Sequence, residues 1–377
     1  MNEQSPLASR SASLLFRVAA VAALLAGPAA APAVAQQEGP ATETYRLRGA
    51  SVAVHNIAGR VEVVRGEGED VRVEVTRRGR DSARLSVATG VLDGRQTLRV
   101  LYPEDEDRVV YPERGDESDI PGFLRWLGVD FDSDIEVRDD GRLGDEGRDV
   151  DVVSSGDGLR AWADIRVLVP TDGQVAVHNG VGRARVSEVE GTVALDIHTG
   201  PVEADGLRGS LTVDTGSGSV RAASIEGDLS IDTGSGSVRL EGVSGSRVGV
   251  DTGSGSVEGT GIRAETLTVD TGSGGVDLRE VSTRELGIDT GSGSVEVTLV
   301  SDLDRGVIDT GSGGVEISVP SDFGARLNLD TGSGGVDVEL PARSVQAERG
   351  RWNGVVGDGE GTLEVDTGSG GIEIRRD

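Results

Sequence analysis

The sequence predicts an all-β protein built as a β-solenoid, a single-stranded β-helix with coils of about 19 residues, and three observations carry the prediction. The pentapeptide Asp-Thr-Gly-Ser-Gly recurs at Asp214, Asp232, Asp251, Asp270, Asp289, Asp309, Asp330 and Asp366. Short stretches alternating apolar and polar residues flank each copy, which is the pattern of a half-buried strand. The composition, with 58 glycines and only 3% aromatic residues, suits thin layers filled by Val, Leu and Ile better than an ordinary globular core.

The intervals between copies are 18, 19, 19, 19, 20, 21 and 36 residues. The last is close to two periods and predicts one degenerate unit between Asp330 and Asp366. The residue before each Asp is aliphatic, from Val213 to Val365, and so is the third before it except at Gly306. Six residues after each Asp stands Val or Ile, from Val220 to Ile372. The next position is always charged: Arg221, Arg239, Glu258, Asp277, Glu296, Glu316, Asp337 and Glu373. Each repeat therefore reads as strand, Gly-rich bend, strand and variable corner. A unit this short cannot bury its own inner face, but stacking with a strand spacing of ~4.8 Å can. The period does not set the handedness.

Weaker copies lie upstream. "ALDIHTGPVEA" places His198 where Asp is expected, "VAVHNGVGRARV" does so with His178, and "VAVHNIAGRVEV" with His55. On this alignment all three histidines of the chain fall on the Asp column. The domain organisation follows: residues 1–35 a leader, 36–44 a linker, 45–102 the N-terminal coils, 103–160 an acidic and largely flexible excursion, and 161–377 the main repeat region. The leader has Arg10 and Arg17 before an apolar run that closes on Ala33-Val34-Ala35, as a cleaved secretory signal does. No later segment is apolar enough to span a bilayer as a helix, so no integral membrane segment is expected after cleavage. In the excursion, "IPGFLRWLGVDF" at 120–131 has near-helical apolar spacing. It predicts a short helix that either packs on or caps the solenoid, or presents aromatic anchors to a partner.

The chain has no cysteine, which excludes disulfides and thiolate chemistry, and its formal charge is −28. Removing Arg10, Arg17 and Glu3 with the leader leaves about −29. Such a charge argues against nucleic acid and anionic lipid as partners.

Asp-Thr-Gly-Ser is also the sequence around the catalytic carboxyl of aspartic proteases. That chemistry needs two aspartates sharing one proton. Eight copies at a short period place their carboxylates in a file in which no pair is special. The bend accounts for the motif: Gly supplies unusual φ values, and Asp, Thr and Ser side chains satisfy exposed N–H groups. Carboxylates ~4.8 Å apart repel by ~0.9 kcal/mol per neighbour in water, so backbone donors or intervening cations must offset the file. Calcium needs several converging oxygens, which one Asp per coil does not supply. A zinc site on His55, His178 and His198 competes with the simpler reading that His replaces Asp as a bend residue. A polysaccharide lyase or hydrolase on a β-helix would gather carboxylates and basic residues from non-equivalent positions, whereas these coils are nearly uniform. No catalytic, cofactor-binding or metal-ligating residue is assigned.

An exported chain with "VAVHN" and "GR" near the start, "IRVLVP" at Ile165–Pro170 and tandem "VDTGSGSV" units resembles the bacterial putative adhesin family, a domain of unknown function. The resemblance covers about Tyr45 to Asp377 outside the excursion. It implies a β-solenoid, no catalytic residue to carry over, and an adhesin-like role. The expectation is a secreted or periplasmic, non-enzymatic protein of the outer cell envelope, binding an envelope polymer or protein partner without a cofactor. A carbohydrate-active β-helix enzyme is the alternative.

Overall fold

The computed structural model describes residues 42–49, 51–112, 132–144 and 147–377. The leader, and the 120–131 segment with its expected helix, lie outside these residues. The described residues are nearly all β, with 66% strand, and form a stack of parallel coils with a Val-dominated interior.

Two rows of strands build the stack. In the first, each Asp of the repeat pairs in register with the next coil's: Asp214 with Asp232, Asp232 with Asp251, Asp251 with Asp270, Asp270 with Asp289, and Asp289 with Asp309. The residue before each Asp points inward, and Val213, Ile231, Val250, Val269, Ile288 and Ile308 are all buried. In the second row Val220, Val238, Val257, Val276, Val295 and Val315 form the equivalent buried line. The side-chain period of two places the intervening charged residues outside. Two corners expected to be loops remain inside long strands, Val238–Thr252 and Val276–Thr290. A single left-handed residue, such as Gly242 at φ +61° or Glu280 at φ +54°, turns the chain while pairing continues.

The ends depart from the sequence expectation. Of residues 45–102, only Ser51–Ala58 and Val61–Arg65 form a coil, pairing in parallel with Gly173–Val181 and Ala184–Ser187. Arg95–Leu101 stacks in parallel on Ser51–Ala58, but Thr42–Leu47 pairs antiparallel with Val71–Arg78, and Ser86–Leu92 antiparallel with Arg95–Leu101. The interval between Asp330 and Asp366 holds no degenerate coil. It is an antiparallel hairpin, Ala342–Glu348 and Arg351–Val356, laid against Ala325–Thr331. A solenoid of parallel strands leaves open edges at both ends, and here antiparallel strands are laid on them and end the parallel stack.

The described parts of the acidic excursion are also more ordered than its composition predicts. Arg108–Val110, Asp132–Val137 and Arg148–Val153 make a three-stranded sheet. Val109, Ile135, Val137, Val150 and Val152 join the main core. The alternation in "DSDIEV" and "RDVDVV" is genuine strand pattern, only short and masked by its acidic partners.

Candidate functional site

The Asp-Thr-Gly-Ser-Gly bend works differently from the sequence expectation. Threonine, not aspartate, holds it. Thr252 is fully buried; its hydroxyl accepts the N–H of Gly255 at 3.1 Å and donates to the carbonyl of Gly236 in the preceding coil at 3.1 Å. Thr233, Thr271, Thr290 and Thr310 repeat both bonds. The motif glycines do not have left-handed φ values. They are required because coils touch there: a Cβ on Gly255 would lie 1.9 Å from the Gly236 carbonyl oxygen.

The aspartates are left as an exposed file. Burial and then the neighbouring aspartates push the carboxyls of Asp214, Asp251 and Asp289 above their ordinary range. At the C-terminal end, the file closes on Arg351, which pairs in register with Asp330 and donates to it from Nε at 2.9 Å. At the other end it runs through Asp196, His178 and His55 to Arg99. His198 is not in the file. Asp196 holds that place, paired with His178 and Asp214, and His198 lies two residues beyond. The sequence alignment matched the Thr-Gly after His198 to the repeat, whereas the backbone register follows the apolar residues before Asp196.

His55 and His178 are stacked, with ring centroids 4.4 Å apart and planes 4° from parallel. His178 Nδ1 lies 2.8 Å from Asp196 Oδ2. His55 is buried beneath the excursion, whose Leu143 N–H donates to its Nδ1 at 3.4 Å. Burial, then the neighbouring His178 and Arg142, lower its pKa to about 3. Stacked on each other and each hydrogen-bonded, the two rings act as a structural pair. Among the described residues, no group of three or more His, Cys, Asp or Glu is arranged to hold a metal ion.

The second row carries the feature that sequence reasoning passed over. Its exposed ladder begins with compensated charge: Arg166 lies between Glu62 and Glu74 at 3.6 and 3.7 Å, and Arg221 meets Glu241 at 2.6 Å. After Arg239 the sign becomes uniform. Glu258, Asp277, Glu296, Glu316, Glu373 and Asp337 follow one another in register. They line one side of an open groove of about 850 Å³. Small residues, including Gly275, Ser294, Gly314 and Gly371, leave the trench beside them. Arg239 pairs with Glu258, Arg279 with Asp277 at 2.6 Å, and Arg375 with both Glu316 and Glu373. Among the described residues Glu296 and Asp337 make no ion pair, and the buried Asp277 Oδ1 has no hydrogen-bond partner. The signal was available in the charged position after each Val, but without the register its acidic run could not be distinguished from solvation.

The family model described as Toastrack DUF4097 matches residues 165–375. No curated protein sequence matches the chain. Two solved structures are similar. One is a putative cell adhesion protein from Clostridium sporogenes, with 10% identity and a TM-score of 0.22, covering 90% of this chain and 100% of that one. The other is a putative adhesin from Bacteroides fragilis, with 12% identity and a TM-score of 0.29, covering 89% and 97%.

Proposed function

Because the chain belongs to the Toastrack DUF4097 family, a domain of unknown function, the function has to be argued from its surface, and we propose an exported, non-enzymatic, adhesin-like protein of the cell envelope that binds an envelope polymer or protein along the acid-lined groove. The observation that carries this reading is the run of six acidic residues in register on one ladder, in which Glu296 and Asp337 have no ion pair among the described residues. Arginine occupies this position in other coils, so the fold does not require an acid there. Stacked carboxylates repel by ~0.9 kcal/mol per neighbour in water, and a stretch that retains such repulsion is better explained by a ligand than by stability. Charge complementarity selects a partner bearing positive groups along its length.

The ladder carboxylates occupy equivalent positions on a regular face. Hydrolysis or elimination on a sugar needs an acid and a base set against one bond, whereas these carboxylates stand in a single file along one face. Export rests on the leader sequence. No helix among the described residues is long and apolar enough to cross a membrane.

The test is to incubate the purified protein with a panel of envelope polysaccharides, amine-bearing and neutral, reading both binding and chain length. The expected result is retention on an amine-bearing polymer without shortening it, with retention lost in a Glu296→Gln/Glu316→Gln/Asp337→Asn variant. Depolymerisation would establish the enzyme instead, and unchanged binding by the variant would remove the groove from the account.

A further inference from the structure

From Val202 to Val319, neighbours in the stack are also neighbours in sequence, and then the order breaks. The coil Arg305–Thr310 and Val315–Val319 is followed in sequence by Ala325–Thr331 and Val336–Val338. In space, Gly361–Thr367 and Ile372–Arg376 stand between them on both rows. We propose that residues 361–377 are an exchangeable coil, and that the slot they fill is an interaction surface for the same coil of a second copy of this chain. This is independent of the adhesin-like reading.

The bonds that hold the inserted coil are the generic bonds of the repeat. Thr367 Oγ1 donates to the Gly313 carbonyl at 2.9 Å, and Thr331 Oγ1 to the Gly370 carbonyl at 2.7 Å. The main chain adds Gly368 N to Thr310 O at 3.1 Å and Gly332 N to Thr367 O at 3.0 Å. All three coils read Asp-Thr-Gly-Ser-Gly-Gly, then an aliphatic residue and an acid. Nothing in these contacts distinguishes a coil of the same chain from that of another.

The stack also has a second way to close. Gly306 forms a notch filled by Leu363 of the inserted coil: a Cβ on Gly306 would lie 2.7 Å from Leu363 Cδ1. Leu327 of the next coil holds the matching register position. If the insert leaves, Leu327 can fill the notch, Asp330 can take the place of Asp366 against Asp309, and Thr331 can donate to Gly313. Asp309 and Asp330 are 21 residues apart, the longest step between successive copies before the hairpin, so the chain has slack for either arrangement. The tether to the insert passes through Gly357 and Gly359, both left-handed at φ +57° and +76°, and glycine is the residue that most readily takes up another backbone conformation there. Reciprocal exchange between two copies keeps every pairing and changes only the tether, which is the low-cost condition for domain swapping.

The absence of cysteine makes a clean cross-linking test. Glu316 and Glu373 are register partners on the exposed face, and adjacent parallel strands, ~4.8 Å apart, are within disulfide reach. A Glu316→Cys/Glu373→Cys double variant, oxidised while folded, is expected to close within one chain; failure to close would overturn the insertion itself. The single variants Glu316→Cys and Glu373→Cys are then unfolded together, refolded as a mixture and oxidised. The expected product is a disulfide-linked heterodimer, several-fold more abundant than from a mixture of Glu296→Cys and Glu316→Cys, which are register partners outside the exchanged coil. Recovery of monomers alone, or equal cross-linking in both mixtures, would overturn the proposal.

Discussion

Replacing Asp251 by Asn should stabilise the protein at neutral pH, although it alters the most repeated motif in the chain. Asp251 pairs in register with Asp232 on one side and Asp270 on the other. At a strand spacing of ~4.8 Å each neighbour costs ~0.9 kcal/mol in water, so removing one charge relieves ~1.8 kcal/mol. Splaying of exposed side chains and salt screening reduce this to ~1 kcal/mol. No hydrogen bond within the bend is lost, because Thr252 holds it. The pH dependence follows from the sign of the shift. The folded-state pKa of Asp251 is raised by burial and then by Asp232 and Asp270, so the native state binds the proton more readily than the unfolded chain. The repulsive cost is therefore full above the folded pKa and disappears as pH falls toward the ordinary value of 3.8. Paired urea melts of wild type and Asp251→Asn should differ by ~1 kcal/mol at neutral pH and converge below pH ~4. A variant less stable than wild type at neutral pH, with wild-type stability rising in micromolar calcium but not magnesium, would refute the reasoning and make the file a cation ladder.

Other outcomes follow from the same geometry. Thr252→Val should cost roughly 2–4 kcal/mol in urea melts, because the Gly255 N–H and the Gly236 carbonyl both lose a buried partner. Gly255→Val should cost more than Asp251→Asn under any condition, since its Cβ meets the Gly236 backbone at 1.9 Å and the coils must separate. Ile135→Ala should cost about 2–5 kcal/mol, because the excursion's sheet belongs to the core; a near-neutral result would show that the segment is dispensable. His55, a base whose folded pKa is lowered to about 3 from 6.5, supports stability above pH 6.5, and this support is lost as pH falls. His55→Asn should therefore flatten the acid limb of the stability profile, by up to ~1.4 kcal/mol per pH unit at its steepest.

The repeat region was legible in the sequence because each coil makes its contacts with a neighbour carrying the same pattern. The aliphatic residue before each Asp, the Val or Ile six residues after it and the alternation around both specify burial locally, so period and strand type follow without knowledge of the whole. The chemistry of the bend was only half legible. Gly255 and Thr252 look like residues chosen for local backbone geometry, yet both are set by the coil beneath, through a carbonyl that belongs to another repeat. His198 was misplaced for a related reason: the Thr-Gly after it imitates the motif, while register is decided by which apolar residues face the core. The acidic ladder from Glu258 to Asp337 was present as single letters, but its continuity depends on Glu373 lying between Glu316 and Asp337. That placement, like the antiparallel hairpins at the ends and the sheet within the excursion, comes from long-range pairing among near-identical strands. Local pattern determines that such strands stack; only the tertiary structure decides which stacks on which, because many pairings satisfy the same local rules and the choice rests on chain connectivity and closure of the ends.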